Sequence, residues 1–364
     1  MKKSMLALAA LTAFAGAASA QSSVTLFRIV DATYAIGNGS LTDKTQVTNS
    51  GYNSSRLGFR GVEDMGGGSR AGFWLEAGLN NDDGRGAGTS TNNQATGGAI
   101  AGLNGGQGLT FNRRSTVSWG GGWGELRLGR DYTPHFWTHT AYDAFGTNGV
   151  GTSQVLNSSI GGPTTVRASN SVGYIYNMPF NATSIGGNGL SVFAQMYRGE
   201  NASGAATSND GNGFSLRVGY DAGPLSLAFA NGSTKYSTGK ITTTNLGGSY
   251  NLGPAKVSAF WNKDKVAGGK TGTGSNLGVN VPMGTNELRA AISSYETETA
   301  AGVTDGKARK LALGYVTNLS KRTALYATYA RVSNSGISAQ ALNGATTAAG
   351  GSSTGMDFGV RHAF

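Results

Sequence analysis

Apolar and polar residues alternate along most of this chain, and the last strand shows the pattern clearly. One face would carry Met356, Phe358, Val360, His362 and Phe364, and the other face Asp357, Gly359, Arg361 and Ala363. A strand that is apolar on one side, polar on the other and aromatic at its end is typical of a wall between lipid and water. The pattern predicts a transmembrane β-barrel whose last residue meets a membrane interface.

Short turns separate the alternating segments, and a tyrosine often stands just before them. Tyr176, Tyr220, Tyr250 and Tyr315 each end a segment ahead of a turn rich in Gly, Asn, Asp, Ser or Pro. Aromatic residues that recur beside turns are typical of a girdle at the membrane interface. Seven short turns are predicted, at 63–69, 120–124, 177–179, 221–224, 251–254, 282–285 and 317–322. With an opening strand at 24–35 and a closing strand, they predict sixteen strands.

Eight longer segments rich in Gly, Ser, Asn and Thr lie between these hairpins. They cover 37–54, 80–110, 131–165, 198–212, 231–240, 264–274, 296–306 and 333–352. Short turns at one end and long loops at the other are typical of exported barrels, and an even count near sixteen implies a water-filled lumen. The predicted fold is all-β, a 16-stranded antiparallel transmembrane β-barrel in one domain. A non-channel surface or periplasmic β-sandwich is the alternative architecture, and it would be extracted without detergent.

The first twenty residues predict export. Lys2 and Lys3 form a basic start, an apolar stretch runs from Leu6 to Ala18, and Ala18-Ser19-Ala20 is a cleavage pattern. We therefore expect residues 1–20 to be a cleaved signal peptide and residues 21–364 to form the barrel. No later stretch has about 18 uninterrupted apolar residues, so no spanning helix is predicted.

Composition narrows the function. Of the 364 residues, 60 are Gly, 6 are Pro and none is Cys, which excludes disulfides, thiolate metal sites and cysteine nucleophiles. The formal net charge is +10, and it falls to +8 without Lys2 and Lys3. In an exported protein, a basic balance indicates anionic solutes or anionic lipid head groups rather than nucleic acid.

The sequence offers no convincing enzyme site. The histidines are His135, His139 and His362, and the first two lie in a Pro-containing loop without a third ligand nearby. A Gly-x-Ser-x-Gly elbow is missing, and the Gly66-x-Gly68-x-x-Ala71 match lies inside a turn. We therefore expect neither an enzyme nor a cofactor.

Several strings carry a family resemblance that extends over the whole mature chain. They are Ser23-Val-Thr-Leu-Phe27 with Val30-Asp31, the segments 55–64, 71–76, 113–118, 124–131 and 319–326, and Val360-Arg-His-Ala-Phe364. These strings resemble the general porins of β-proteobacteria, and the similarity is greatest to the anion-selective porins of the Comamonas group. The resemblance implies a homotrimer in the outer membrane, in contact with outer-membrane lipid and lipopolysaccharide. It also implies a third loop folded into the lumen and a terminal Phe364 that is read by the outer-membrane assembly machinery.

The function implied is passive diffusion of small hydrophilic solutes with selectivity for small anions. The third loop, however, is rich in aromatic residues, including Tyr132, Phe136, Trp137 and Tyr142. This density fits burial inside the barrel, and it also fits a greasy slide for one substrate. A substrate-specific channel for a small anion or sugar is therefore the alternative.

A pore selects ions by the charges at its narrowest point. Arg56 alternates with Leu57 and Phe59, so Arg56 and Arg60 should face water if the apolar residues face lipid. The resemblance assigns the constriction arginines to Arg56, Arg113 and Arg167. A guanidinium suits this role because it stays charged and is weakly hydrated.

Two points in this cluster stay open. Alternation with Thr116 and Ser118 places Arg114 in the lumen, whereas the resemblance favours Arg113; a β-bulge or the approach to the rim would reconcile them. Glu76 on the same wall and Asp143 on the third loop are the acidic counterparts that we expect near the arginines.

Arg28 departs from the family pattern, which usually has Gly there. Alternation with Val24, Leu26 and Val30 aims Arg28 outward, where an arginine costs about 2–4 kcal/mol at the bilayer midplane and little near the rim. We expect it to lie at the periplasmic rim or at a subunit seam, and Arg28→Gly to leave folding intact or improve it.

Overall fold

The computed structural model describes residues 23–90, 92–94, 108–153, 160, 162–181 and 188–364. The predicted signal peptide at 1–20 lies outside these residues. The strands, in chain order, are β1 (Ser23–Asn38), β2 (Lys44–Asn49), β3 (Arg56–Gly66), β4 (Ser69–Asn80), β5 (Arg85–Gly86), β6 (Arg114–Gly121), β7 (Gly124–Tyr132), β8 (Arg167–Tyr176), β9 (Gly189–Tyr197), β10 (Gly213–Ala222), β11 (Leu225–Tyr236), β12 (Gly239–Asn251), β13 (Lys256–Val266), β14 (Thr271–Met283), β15 (Asn286–Glu298), β16 (Thr304–Asn318), β17 (Thr323–Gly336) and β18 (Ser352–Ala363). One helix, α1 (Pro134–Tyr142), lies between β7 and β8.

These strands form one closed antiparallel barrel with sixteen strand positions around its wall. Neighbours in sequence pair with each other, and β1 closes the ring against β18. β2 and β3 together count as one interrupted strand of the barrel, because they pair with the two halves of the same edge of β1. The two-residue β5 only extends the loop end of β4. The predicted all-β barrel of sixteen strands is therefore confirmed.

The two faces of the wall follow the predicted alternation. In β18, Met356, Phe358 and Val360 are exposed on the outer surface, whereas Asp357 on the inner face is 2% exposed. Outward tyrosines cluster beside the short turns, namely Tyr174, Tyr176, Tyr220, Tyr250 and Tyr315. Within the described ranges, no helix is long and apolar enough to cross a membrane.

The predicted turn and loop lengths are partly wrong. The connection after Tyr176 is not a short turn, because β8 ends at Tyr176 and β9 begins only at Gly189. The segments 231–240 and 264–274 are not long loops, because β11 runs to Tyr236 before β12 begins at Gly239, and β13 and β14 meet across a similarly tight turn. β2 also occupies part of the predicted loop 37–54. Where strands extend past the apolar band, their outward residues are polar as well, so their sequences lose the alternation that identifies a strand.

The third loop folds into the barrel and packs against the inner wall. Its side chains lie over wall glycines: His135 over Gly232, Tyr142 over Gly247, Ala144 over Gly278, Phe145 over Gly314 and Val150 over Gly355. A Cβ on Gly278 would lie 2.6 Å from the Cβ of Ala144. The glycines therefore form a recess that holds the loop against the wall.

Polar groups complete this anchorage. The Asp357 carboxylate accepts a hydrogen bond of 2.7 Å from the backbone N–H of Val150, and Lys310 Nζ donates one of 3.1 Å to the Val150 carbonyl. Asn245 donates to the carbonyl of His135, and Asn280 to that of Ala144. Loop backbone that has left water is satisfied by these wall side chains.

Candidate functional site

Three arginines gather around one carboxylate on the inner wall. Glu76 Oε1 lies 2.5 Å from Arg113 Nε and 3.7 Å from Arg56 Nη1. Arg167 joins through Tyr132, whose hydroxyl accepts hydrogen bonds of 2.9 Å from both Arg113 and Arg167. The structure thus brings together Arg56, Arg113, Arg167 and Glu76, which were expected at one place; we call them the arginine cluster.

Adjacent residues Arg113 and Arg114 both point into the barrel. The regular β4–β6 register ends at the Glu76–Arg114 pair, and beyond it the Asn112 side chain, not the backbone, binds the N–H of Gly78. Arg113 therefore lies past the last residue that must obey strand alternation. Alternation placed Arg114 inside and the resemblance placed Arg113 inside, and the end of the strand accommodates both.

Arg114 belongs to a second, buried network. Its guanidinium lies 4.6 Å from the centroid of the Trp74 ring and donates a 2.7 Å hydrogen bond to Asn181. The Asp131 carboxylate lies 3.8 Å from Arg114 and forms an ion pair of 2.7 Å with Arg127. Arg127 also pairs with Glu125. Because these charges are buried and largely balanced, this network contributes little net charge to the lumen.

Arg60 is placed on the inner face of β3, two inward positions along the strand from Arg56. It is exposed, and its guanidinium lies 5.0 Å from the Trp74 ring centroid and 5.5 Å from that of Phe27. No acidic partner is found for Arg60 in the described part of the chain. It extends the positive surface toward the short turns.

The third loop faces the arginine cluster from the other side of the lumen, since α1 packs against β9 to β13. Asp143 does not point at the arginines. Its carboxylate accepts hydrogen bonds from the N–H groups of Phe145 and Ser153, each 2.8 Å, and from the Thr152 hydroxyl. Expected as a selectivity acid, Asp143 instead shapes the turn after α1. Asp131 and Tyr132 also differ from expectation, because they end β7 beside the arginines.

The aromatic residues of the loop are buried, not aligned along the pore. Trp137 packs with Ile175 and Phe193, and Tyr142 packs with Phe260 and Tyr295. Of these aromatic residues, only Tyr132, which is partly exposed, contacts the arginine cluster. Of the two explanations for the aromatic density, burial describes the observed packing, and the greasy slide does not.

Both loop histidines are neutral structural groups. His135 contacts the hydroxyls of Thr133 and Ser215, and His139 binds Ser153 at 2.7 Å while stacking on Phe260. Burial lowers the pKa of each to about 4. Among the residues that the structure describes, no three His, Asp or Glu side chains form a metal-binding group.

A further basic pair, Arg289 and Arg361, lies inside the barrel, and the sequence pattern placed only Arg361 there. Arg289 lies 4.6 Å and Arg361 5.9 Å from the centroid of the Tyr52 ring. Arg289 alternates with outward Leu288, and this was a usable signal for an inward position. Nothing in the sequence brings Tyr52 between them, because it belongs to the irregular segment that separates β2 from β3.

Phe364 lies outside the lumen, at the seam where β18 meets β1. Its ring is 39% exposed, and its backbone exchanges hydrogen bonds with Arg28. The short turns lie at the same end of the barrel, since β18 ends beside Arg322 of the turn between β16 and β17. This position fits the membrane interface that the sequence predicted.

Comparison with known proteins agrees with this architecture. The Gram-negative porin family model matches residues 7–337. Outer membrane porin protein 32 of Delftia acidovorans is 37% identical over 384 residues, covering 100% of both chains. The solved structure of an anion-selective porin from Comamonas acidovorans superposes with a TM-score of 0.79 at 33% identity, covering 94% of this chain and 100% of that one. OmpT of Vibrio cholerae shares the fold, with a TM-score of 0.63 and 13% identity, covering 94–95% of this chain and 98–99% of the OmpT chain.

Proposed function

The chain belongs to the Gram-negative porin family and is an outer-membrane porin, and we propose that its arginine cluster makes the channel selective for small anions. The observation that carries the proposal is an imbalance of charge. Arg56 and Arg113 pair with one carboxylate, Glu76, and Arg167, which joins them through Tyr132, forms no ion pair among the described residues. The cluster therefore carries an excess of two positive charges, and the exposed Arg60 adds to it.

The size of this excess is sufficient for selection. One unit charge about 4 Å from an ion contributes about 1 kcal/mol in water, and more where low-dielectric walls confine the field. Two uncompensated charges would then favour an anion over a cation by roughly tenfold or more at low salt. Since the Debye length falls from about 10 Å at 0.1 M to about 3 Å at 1 M, salt should weaken the preference.

The arginines of the cluster differ in how far they are exposed to the lumen. Arg56 has a side chain that is 27% exposed, whereas that of Arg113 is only 10% exposed. Arg56 is therefore the group that meets a passing anion. Arg113, Arg167 and Tyr132 hold the guanidiniums in place, and weak hydration of guanidinium lets the anion leave again.

Transport needs no cofactor and no conformational cycle. Solutes diffuse down their gradient through the lumen, and the anchored third loop narrows the passage opposite the arginines. The family and the fold are those of channels, and we propose that the protein has no enzymatic activity. The resemblance to porins supports export by a cleaved signal peptide at 1–20, a homotrimer, contacts with lipopolysaccharide and recognition of Phe364 by the assembly machinery as further parts of the proposal.

The decisive experiment is the zero-current potential of the purified protein in a planar bilayer under a KCl gradient. We expect the sign set by chloride, and a smaller potential when both sides are raised toward 1 M salt at a constant ratio. A potential of the sign set by potassium would reject the arginine assignment while leaving the porin itself in place.

A further inference from the structure

Two outward-facing arginines mark a site on the outer wall, near the loop end of β16 and β17. Arg309 and Arg331 are both exposed, and neither forms an ion pair in the part of the chain that the structure describes. Arg309 is in register with Ser333, and Arg331 with Leu311, so the two arginines are diagonal neighbours. Such pairs are separated by about 7–8 Å, which lets two long side chains reach one anion.

Serine hydroxyl groups on the neighbouring strands β15 and β14 lie in register with Arg309. Ser294 is in register with Arg309, and Ser275 with Ser294, and the two serine hydroxyls lie 3.1 Å apart. The arginines, the serines and Ser333 line the upper part of a groove of about 730 Å³. This part of the groove offers hydrogen-bond donors and positive charge together.

The same groove becomes apolar toward the short turns. Its lower lining is Leu277, Ile292 and Leu311. A second groove of about 470 Å³ shares Tyr329 with the first and is lined almost entirely by apolar side chains, among them Val279, Leu288, Leu313 and Phe358. The wall therefore presents a charged, hydroxyl-rich head region and, directly below it, a long apolar track.

The arginines lie at the height of a lipid head group. On β16 the outward residues from Leu311 to Tyr315 are apolar, and the strand ends at Asn318. From Arg309 to Asn318 the strand covers about 30 Å, or about 23 Å along the membrane normal at a tilt near 40°. This nearly equals the apolar band of about 25 Å in such barrels, so Arg309 lies at its loop-side boundary.

The nearby acids are already engaged. Glu296 pairs with Lys307 at 2.6 Å, and Asp305 pairs with Lys270 at 2.8 Å. Glu296 is also close enough to interact with Arg309, so one carboxylate serves both Lys307 and Arg309, while Arg331 forms no ion pair among the described residues. The remaining positive charge must be neutralised from outside the described chain. Phosphate oxygens match guanidinium donors particularly well.

We propose that Arg309 and Arg331 bind a phosphate of a membrane lipid, the lipid A part of lipopolysaccharide, whose acyl chains lie in the apolar track below. A free phosphate would make no use of this track, and for that reason the lipid is the occupant. The proposal rests on the outer-membrane orientation of the porin, with the long loops outside.

The test compares lipid binding by the wild-type protein in detergent with that of the double variant R309Q/R331Q. The probe is purified bisphosphorylated lipid A, measured by native mass spectrometry. We expect the double variant to bind about tenfold more weakly, since each arginine near a charged head group contributes appreciably. K263Q/K265Q is the matched control, because it removes two exposed outward charges from β13 instead, and its binding should stay within about twofold of the wild type.

Three outcomes would overturn the proposal: equal binding by R309Q/R331Q, an equal loss in K263Q/K265Q, or competition by inorganic phosphate alone at the concentration of the lipid. Dephosphorylated lipid A should not distinguish the wild type from R309Q/R331Q. The bilayer conductance of R309Q/R331Q should match that of the wild type, which shows that the barrel is folded. Conductance also reports on channel function separately from lipid binding.

Discussion

The guanidinium of Arg28 lies 3.2 Å from the centroid of the Phe364 ring, across the seam that closes the barrel. The two residues also exchange backbone hydrogen bonds with N···O distances of 3.1 and 3.2 Å, which extend the β1–β18 ladder by one pair. An outward arginine at the turn-side rim is thus covered by an aromatic face. This contact explains how the chain accommodates a charge at this outward position.

Replacing Arg28 should weaken the closed barrel slightly without preventing its assembly. Loss of the cation–π contact predicts that Arg28→Gly lowers stability by about 0.5–2 kcal/mol, against the small gain expected from removing a charge at the rim. The measurement is the temperature at which the folded band disappears on an unheated-versus-heated gel, with Arg28→Lys as the charge-preserving control. Absence of any folded band for Arg28→Gly would show that the contact is needed during assembly itself.

Neutralising the most accessible arginine should reduce anion preference without loss of the fold. Arg56→Gln removes one of the two excess charges while the short Arg113–Glu76 ion pair remains. We expect the chloride-over-potassium permeability ratio to fall about threefold to tenfold at 0.1 M salt. Lys263→Gln on the outer surface is the control and should keep the wild-type ratio. An unchanged ratio in Arg56→Gln would mean that selection occurs elsewhere.

Reversing two charges should change the preference more strongly. Arg56→Glu with Arg167→Glu is expected to turn the cluster negative and to shift the zero-current potential toward the potassium sign. Because Arg167 also binds Tyr132 and the carbonyl of Arg113, the variant must first be shown to form a heat-modifiable barrel. A folded variant that kept the chloride sign would contradict the proposed role of the cluster.

Filling one wall recess should displace the third loop. In Gly278→Val the new side chain would collide with Ala144, because even a Cβ would lie 2.6 Å from the Ala144 Cβ. We expect altered single-channel conductance with more open-channel noise, and faster proteolysis of the loop. Gly122→Val is the control, since a Cβ at Gly122 meets nothing within 4 Å. Identical conductance traces for Gly278→Val and the wild type would show that the loop adapts without moving.

Acid should loosen the same loop through its buried histidines. Burial lowers the pKa of His135 and His139 from the ordinary value of 6.5 to about 4, so the undocked loop binds protons first as the pH falls. Docking is then fully stable above pH 6.5 and is progressively weakened between pH 6.5 and 4. Single-channel recordings should show more flicker at pH 4.5 than at pH 7. The variant His135→Gln/His139→Gln should lose this difference, and if it retains the full effect, other groups are responsible.

The barrel could be predicted from the sequence because its rules are local. Alternation assigns each strand residue to lipid or lumen, and short turns separate the strands, so Met356 and Asp357 reveal their faces without any partner. The alternation rule failed where the strands extend beyond the apolar band of the membrane. Beyond the apolar band the outward residues of a strand, here Asn231, Ser233 and Lys235, are polar as well, and β11 and β12 therefore looked like a loop at 231–240.

The candidate site was predictable as a set of residues but not as an arrangement. Alternation placed Arg56, Arg60 and Arg114 inside, and the family resemblance added Arg113 and Arg167. Neither indicated that Asp143 would turn back to the N–H groups of its own loop, or that Tyr132 would join two arginines. Those contacts depend on where the third loop lies, and that position is decided by recesses over Gly278 and other glycines on distant strands.

The sequence by itself determined the strand pattern, the orientation of the wall and the excess of positive charge, because each depends on neighbours along the chain. Only the tertiary structure decided which charges remain unbalanced, since Glu76 on β4 and Arg113 just before β6 meet only when these two strands pair. The contact of Arg28 with Phe364 depends on closure of the barrel at the seam between β1 and β18. Residues at opposite ends of the chain become neighbours through closure, and no local periodicity encodes that proximity.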